Sequence, residues 1–324
     1  MNQLPRYDCI VCGTCAADIL VKPVGLAAPI GGGRLFEVDP IDVTTGGIVC
    51  NSGIAMRRLG LAVAAASIVG ADVWGSVVRQ RLEAEGIGAG AVESDARQAT
   101  SSTAVLIDPS GERSFAHHVG ACREIDVAYL RRQAGQFADA RFALLGYFGI
   151  LPGLEPAIGE AVAVLREAGC QVALETGGSG GSLAAIAPAL QHVDLYVPSL
   201  DEAIHQTGLS DPREILATYR GHGLRGVAGV KLGSRGTLLS PRAGEFLEIP
   251  CVPAPGPVAD TTGAGDSLLA GLITGILRGM PLDQAGRLGS ATAACCVTGV
   301  GATAGLRSFE ETVALAGAPL RESS

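Results

Sequence analysis

Apolar positions in this chain follow two alternating patterns. Short runs of Val, Ile, Leu, Ala and Cys recur at Cys9–Cys15, Val63–Val69, Phe142–Leu145, Val172–Leu174, Leu195–Val197 and Val227–Lys231. Such runs predict strands covered on both faces. Between them, apolar residues return with helical spacing over Ser52–Leu59, Val73–Glu85, Ala157–Ala168, Leu183–Leu190 and Asp201–Thr207. This alternation predicts an α/β fold, with a doubly wound, mostly parallel central sheet flanked by helices. The whole chain, 1–324, is expected to form one domain.

Two segments break the alternation. Ile19–Thr45 is apolar, punctuated by Pro and Gly, and lacks helical spacing. Thr103–Val119 reads as a hairpin, TAVLI and ERSFAHHV joined by a turn at Asp108-Pro-Ser-Gly111. Together they predict a small inserted β-sheet, a lid formed by about 19–45 and 103–119. After Thr237 come two short strands, Leu238–Leu239 and Phe246–Ile249, and a Pro-rich connection. Two helices follow, Ala264–Arg278 and Asp283–Thr298.

Composition narrows the function classes. Net charge is −8 and no basic run occurs, so neither nucleic acid nor an anionic membrane is an expected partner. The longest uncharged stretch, Leu288–Leu306, is rich in Gly and Thr and does not read as a membrane span. Asp8 and Asp18 break the N-terminal apolar run, unlike a signal peptide. A cytoplasmic location is expected. Lys22 and Lys231 are the only lysines, and neither sits in a Gly-Lys-Ser/Thr sequence, which excludes a P-loop. Cys9, Cys12 and Cys15 have metal-motif spacing. On a strand, however, the first two face opposite ways and the outer pair lie about 20 Å apart, so no shared ion is expected. The 46 glycines are about twice the usual share.

The most informative stretch is Asp260-Thr-Thr-Gly-Ala-Gly-Asp266-Ser-Leu-Leu-Ala-Gly-Leu-Ile. A loop of small residues runs straight into an apolar helix. Unpaired N–H groups and the helix dipole make such a junction an anion site. Gly263, Ala264 and Gly265 would let the backbone approach a phosphate. Asp266 stands beside them in the first helical turn. By residue type alone it is either a general base next to an anion hole or an acid placed there by the helix dipole.

The same stretch resembles the signature of the ribokinase-type (PfkB family) carbohydrate kinases. Gly46-Gly47-Ile-Val-Cys-Asn51-Ser-Gly-Ile-Ala55-Met-Arg-Arg-Leu59-Gly60 resembles that family's N-terminal pattern, and Gly70-Ala-Asp72-Val-Trp-Gly75 its GxDxxG. Val230-Lys231-Leu232-Gly233-Ser234-Arg235-Gly236 is similar to its nucleotide turn. The resemblance spans nearly the whole chain in order. It implies an ATP-dependent kinase that phosphorylates a hydroxyl of a sugar or sugar derivative, with a ribokinase-like fold.

Position by position, the resemblance implies Asp266 as general base and Gly263, Ala264 and Gly265 as the anion hole over the γ-phosphate. Asp18, Gly46, Gly47 and Asn51 would hold substrate hydroxyls, with Arg113 a candidate for steering the substrate. As plain structure, Gly46 and Gly47 would be a turn, Asn51 a helix cap and Asp18 a loop acid. Ser199, Lys231, Gly233 and Gly236 would face ATP. As plain structure, Lys231 would be a solvated strand end. Glu202 would organise Mg²⁺ through water. Ser199 departs from the Asn usual in the family, and Glu175 from the usual Asp. Many members are activated by K⁺, and Asp260, Thr262 and the Gly299–Gly305 loop, including Gly301, stand at matching positions. The family's lids also pair subunits, so a homodimer through the lid is implied. The rival readings are a nucleoside kinase of the same fold and a catalytically silent sugar-binding relative. The chain has few aromatic residues for stacking a base, Tyr7, Phe36, Phe115, Tyr147 and Phe148 being the candidates. The intact Asp266 loop argues against silence.

Overall fold

The apolar runs pair side by side. In the computed structural model, which describes residues 5–26, 31–178 and 180–317, the chain opens with β1 (Tyr7–Gly13), β2 (Ala16–Val21) and β3 (Asp42–Gly46). Then come α1 (Gly47–Arg58), β4 (Val63–Gly70), α2 (Val73–Ala84), β5 (Gly88–Asp95), β6 (Ser102–Ile107) and β7 (Arg113–His118). The middle contains α3 (Val127–Arg132), α4 (Ala134–Ala138), β8 (Ala140–Gly146), α5 (Ile158–Glu167), β9 (Gln171–Glu175) and α6 (Leu183–Leu190). Next are β10 (Leu195–Tyr196), α7 (Leu200–Thr207), α8 (Pro212–Gly221), β11 (Val227–Lys231), β12 (Thr237–Ser240) and β13 (Leu247–Ile249). Three helices follow, α9 (Ala264–Leu277), α10 (Leu282–Cys296) and α11 (Phe309–Ala316).

Nine strands form the main sheet in the order β13-β12-β11-β10-β9-β8-β1-β4-β5. All neighbours are parallel except β11–β12 and β12–β13. Every residue of β4 is buried, as a parallel strand covered on both faces requires. Helix α1 packs against β4, α9 packs on both α1 and α10, and α10 lies against β12 and β13. The predicted insert is a separate four-stranded sheet, β3-β2-β6-β7, whose hairpin turns at residues 108–111. Among the described residues no helix is long and apolar enough to cross a membrane.

Three details differ from the expectation. The first strand ends at Gly13, where the chain leaves the main sheet for the small one, so Cys15 lies in the connection and its Sγ donates to Ser67 Oγ (3.1 Å). Helix α1 begins at Gly47, not Ser52, because Gly46 occupies its N-cap, a position that glycine tolerates. Asn51 is therefore inside the helix and not a cap. Elements β5, α3, α4, α8 and α11 lie outside the predicted ones. Of these, α8 carries a legible start, since Pro212 is its first residue and the Asp211 carboxylate accepts from the Arg213 and Glu214 N–H groups. Part of the expected lid segment, residues 27–30, lies outside the described residues.

Candidate active site

The carboxyl ends of the parallel strands form a row. Tyr147 follows β8, Glu175 ends β9, Ser199 follows β10 and Lys231 ends β11. Open α/β sheets bind ligands along this edge. All four residues line a cavity of about 980 Å³. Its opposite wall is Gly263, Ala264, Gly265 and Asp266 at the start of α9, with Phe115 of the small sheet closing one side.

Glycine is required at the head of α9. Gly263 is the N-cap and has φ 76°, a left-handed conformation that disfavours other residues. A Cβ there would also overlap Ala302. No side chain caps α9, so its first turn keeps the unpaired donors that suit an anion.

Asp266 is only 4% exposed. Its Oδ2 accepts from Asn51 Nδ2 (2.8 Å) and from the Tyr147 hydroxyl (2.7 Å). Burial pushes its pKa above the ordinary carboxylate range, against the pull of those two donors and of Lys231. Lys231 Nζ donates to Glu175 Oε1 (2.7 Å) in a buried ion pair. Burial alone would lower the Lys231 pKa, but Glu175, Glu202 and Asp266 outweigh it and raise the value. Burial pushes Glu175 up to about 8, and its Oε2 is buried without a partner. A Cβ on Gly265 would stand 3.4 Å from the Lys231 ammonium, so the lysine reaches the anion loop itself and is not a solvated strand end.

Toward the small sheet, Asp18 of β2 pairs with Thr44 and Thr103 in register. Its carboxylate packs against Gly46, where a Cβ would overlap it. Burial raises Asp18 to about 6, with the Thr103 hydroxyl pulling the other way. Gly46 and Gly47 open α1, and one turn later Asn51 reaches Asp266, while Asn51 Oδ1 is buried without a partner. The structure thus joins Asp18, Gly46, Gly47, Asn51 and Asp266 into a continuous path.

Other expected residues fall differently. Arg113 is not directed into the cavity. Its Nη1 donates to Asp260 Oδ1 and to Thr262 Oγ1 (3.0 Å). Ser199 and Glu202 form a capping box at α7: Ser199 N and Oγ both donate to Glu202 Oε2 (2.7 and 2.8 Å), and Glu202 N donates to Ser199 Oγ (3.3 Å). A serine three residues before a glutamate is the sequence signature of that box. Gly233 lines the cavity, whereas Gly236 packs outside it against Ile249 and Cys251.

Tyr147 stands out as a hydrogen-bond partner of Asp266. The sequence marks it only as an aromatic available for stacking. Its φ of 59° is the single positive value among the described non-glycine residues, and strained conformations of this kind cluster at functional sites. Gly177 makes room for its ring, since a Cβ there would come within 2.8 Å of Tyr147 Cδ1.

Comparison with known proteins bears on the family and the fold. A model of the pfkB family of carbohydrate kinases matches residues 8–308. The chain is 27% identical over 322 residues to the ribokinase of Haemophilus influenzae, covering 95% of this chain and 98% of that protein. The structure of Arabidopsis thaliana ribokinase complexed with ribose and ATP superimposes with a TM-score of 0.80 at 22% identity, over 96% of this chain and 98% of that one. A provisionally assigned ribokinase II from E. coli in complex with ATP and Mg²⁺ gives 0.81 at 20% identity, over 95% and 98% of the two chains.

Proposed function

Since the chain belongs to the pfkB family of carbohydrate kinases, we propose that it transfers the γ-phosphoryl group of ATP to a hydroxyl of a sugar or sugar derivative, with Asp266 as the base. The observation that carries this reading is the pairing of Asp266 with an uncapped helix start. Oδ2 is held by Asn51 and Tyr147, which leaves Oδ1 to take the hydroxyl proton. The N–H groups around Gly263, Ala264 and Gly265 meet the charge on the transferring group, with Lys231 alongside. Asp18 and Asn51 Oδ1 accept from the sugar's hydroxyls, and the glycines at 46 and 47 keep that surface open. The small sheet acts as a lid, placing Phe115 over the cavity so that transfer goes to the sugar and not to water.

Mg²⁺ fits this wall of the cavity. Three carboxyl groups, Glu175, Glu202 and Asp266, line it with one lysine, and Glu175 Oε2 lacks a partner. Such a metal would be bound by one or two carboxylates, water and nucleotide oxygens. Glu202 and Glu175 would hold it, and it would neutralise phosphate charge.

The test is an ATP-consumption screen over pentoses, hexoses, keto-sugar acids and nucleosides with Mg²⁺. Turnover of a sugar, abolished in Asp266→Asn with ligand binding retained, is expected. Activity on nucleosides alone, or an Asp266→Asn protein with wild-type turnover, would overturn the reading.

A further inference from the structure

The residues that the family resemblance assigns to a monovalent cation do not fit one here, because a guanidinium group already holds the Asp260 carboxylate and the Thr262 hydroxyl. The Asp260 side chain is 3% exposed and that of Arg113 is 11% exposed. Asp260 Oδ1 accepts from Arg113 Nη1 and from Thr262 N (2.6 Å), and its Oδ2 accepts from Gly301 N (2.7 Å). Thr262 Oγ1 accepts from the same Arg113 nitrogen. Along the loop that follows α10, Thr303 O accepts from Arg58 Nη1 (3.1 Å) and Thr303 Oγ1 from Arg81 Nη2 (3.2 Å). Glu85 pairs with both of these arginines, at 3.0 and 2.9 Å. A dissociable cation at Asp260 would sit within a few ångströms of a buried positive charge, where repulsion is poorly screened.

We propose that Arg113 is a tethered replacement for the activating monovalent cation, so that this kinase works without K⁺. Asp260 and Thr262 lie just ahead of the turn that presents Gly263, Ala264 and Gly265. The charge that Arg113 places there fixes the turn's entry, which makes it a positioning residue acting through Asp260. Because Arg113 is the first residue of β7, the replacement cation belongs to the small sheet. Lid position and phosphate-loop order are thereby one event. The inference rests on the kinase reading above.

The experiment compares the full-length wild-type protein, Arg113→Ala and Arg113→Lys in a tetramethylammonium buffer, with KCl or methylguanidinium chloride added. Turnover and melting temperature are both followed. Wild-type turnover and melting temperature are expected to ignore KCl. Arg113→Ala is expected to lose about 10- to 100-fold in turnover, the scale of a small misplacement at a reacting centre. It should regain turnover and melting temperature with saturable dependence on KCl or methylguanidinium. Arg113→Lys should retain K⁺ independence. The proposal is overturned if K⁺ activates the wild type and raises its melting temperature. A folded Arg113→Ala protein that responds to neither cation also overturns it. If Arg113→Ala does not fold, the wild-type and Arg113→Lys titrations still decide between K⁺ independence and K⁺ activation. A protein that phosphorylates no sugar under any cation refutes the kinase reading instead, and the melting titrations then judge the cation question separately.

Discussion

Replacing Tyr147 by Phe removes one of the two donors on Asp266 Oδ2 and keeps the ring that Gly177 accommodates. The lost bond is 2.7 Å long and is made to a carboxylate 4% exposed. A hydrogen bond to a charged group contributes about 1.5–3 kcal/mol. It favours the ionised carboxylate over the acid, and so opposes the upward push of burial on Asp266. Without it the carboxyl moves further up. On the acid side of the base's titration the ionised fraction, and with it the rate, falls by about 10- to 100-fold, at roughly 1.4 kcal/mol per factor of ten. At alkaline pH both proteins carry an ionised Asp266 and their rates converge. The assay is kcat/KM for ATP-coupled sugar phosphorylation across pH. The acid limb of Tyr147→Phe should move toward alkaline pH. A profile lowered equally at all pH values would refute the argument that Tyr147 acts through the protonation of Asp266. An unmoved profile would count against Asp266 as the base.

Three other outcomes follow from the same geometry. Asp266→Asn should lower kcat by about 10²–10⁴-fold without lowering the melting temperature, because a neutral amide replaces a carboxylate whose ionisation burial disfavours; paired kinetics and calorimetry check this. Gly263→Ala should destabilise by about 2–4 kcal/mol in urea titration, through its left-handed φ and the overlap with Ala302, and should abolish turnover. Burial raises Asp18 to about 6, above the ordinary value near 3.9. Its contribution to stability is therefore complete below about pH 4 and is lost as pH rises through about 6, by at most about 3 kcal/mol. Melting temperatures of Asp18→Asn measured across that window should show a flatter pH dependence than the wild type.

Much of this architecture was legible in the residues, and the gaps have physical causes. A parallel strand buried on both faces, such as β4, is apolar along nearly all its length, and this makes its position stand out. The turn into α9 was legible because its glycines and acid answer to one local demand. What escaped depends on contacts across the chain. Tyr147 earns its role from a helix more than a hundred residues away, and nothing beside it in sequence signals that partner. The hairpin's sequence offers Arg113 as a candidate for steering the substrate but does not encode that its edge docks on Asp260 and Thr262. Gly177 owes its place to the Tyr147 ring that it accommodates, a contact that nothing beside it in sequence signals. The resemblance assigns Ser199 and Glu202 to separate ligands, and their spacing also spells a capping box.

The bond from Asn51 to Asp266 spans 215 positions, and the pair from Arg113 to Asp260 spans 147. During synthesis, the residues proposed to handle sugar emerge long before those proposed to handle phosphate. A nascent chain that has already folded its first strands therefore has no catalytic apparatus. Closing such long loops is entropically uphill until the final contacts form. In refolding, recovery of helix and sheet should thus precede recovery of turnover, and the catalytic centre doubles as a reporter that the two ends of the chain have met.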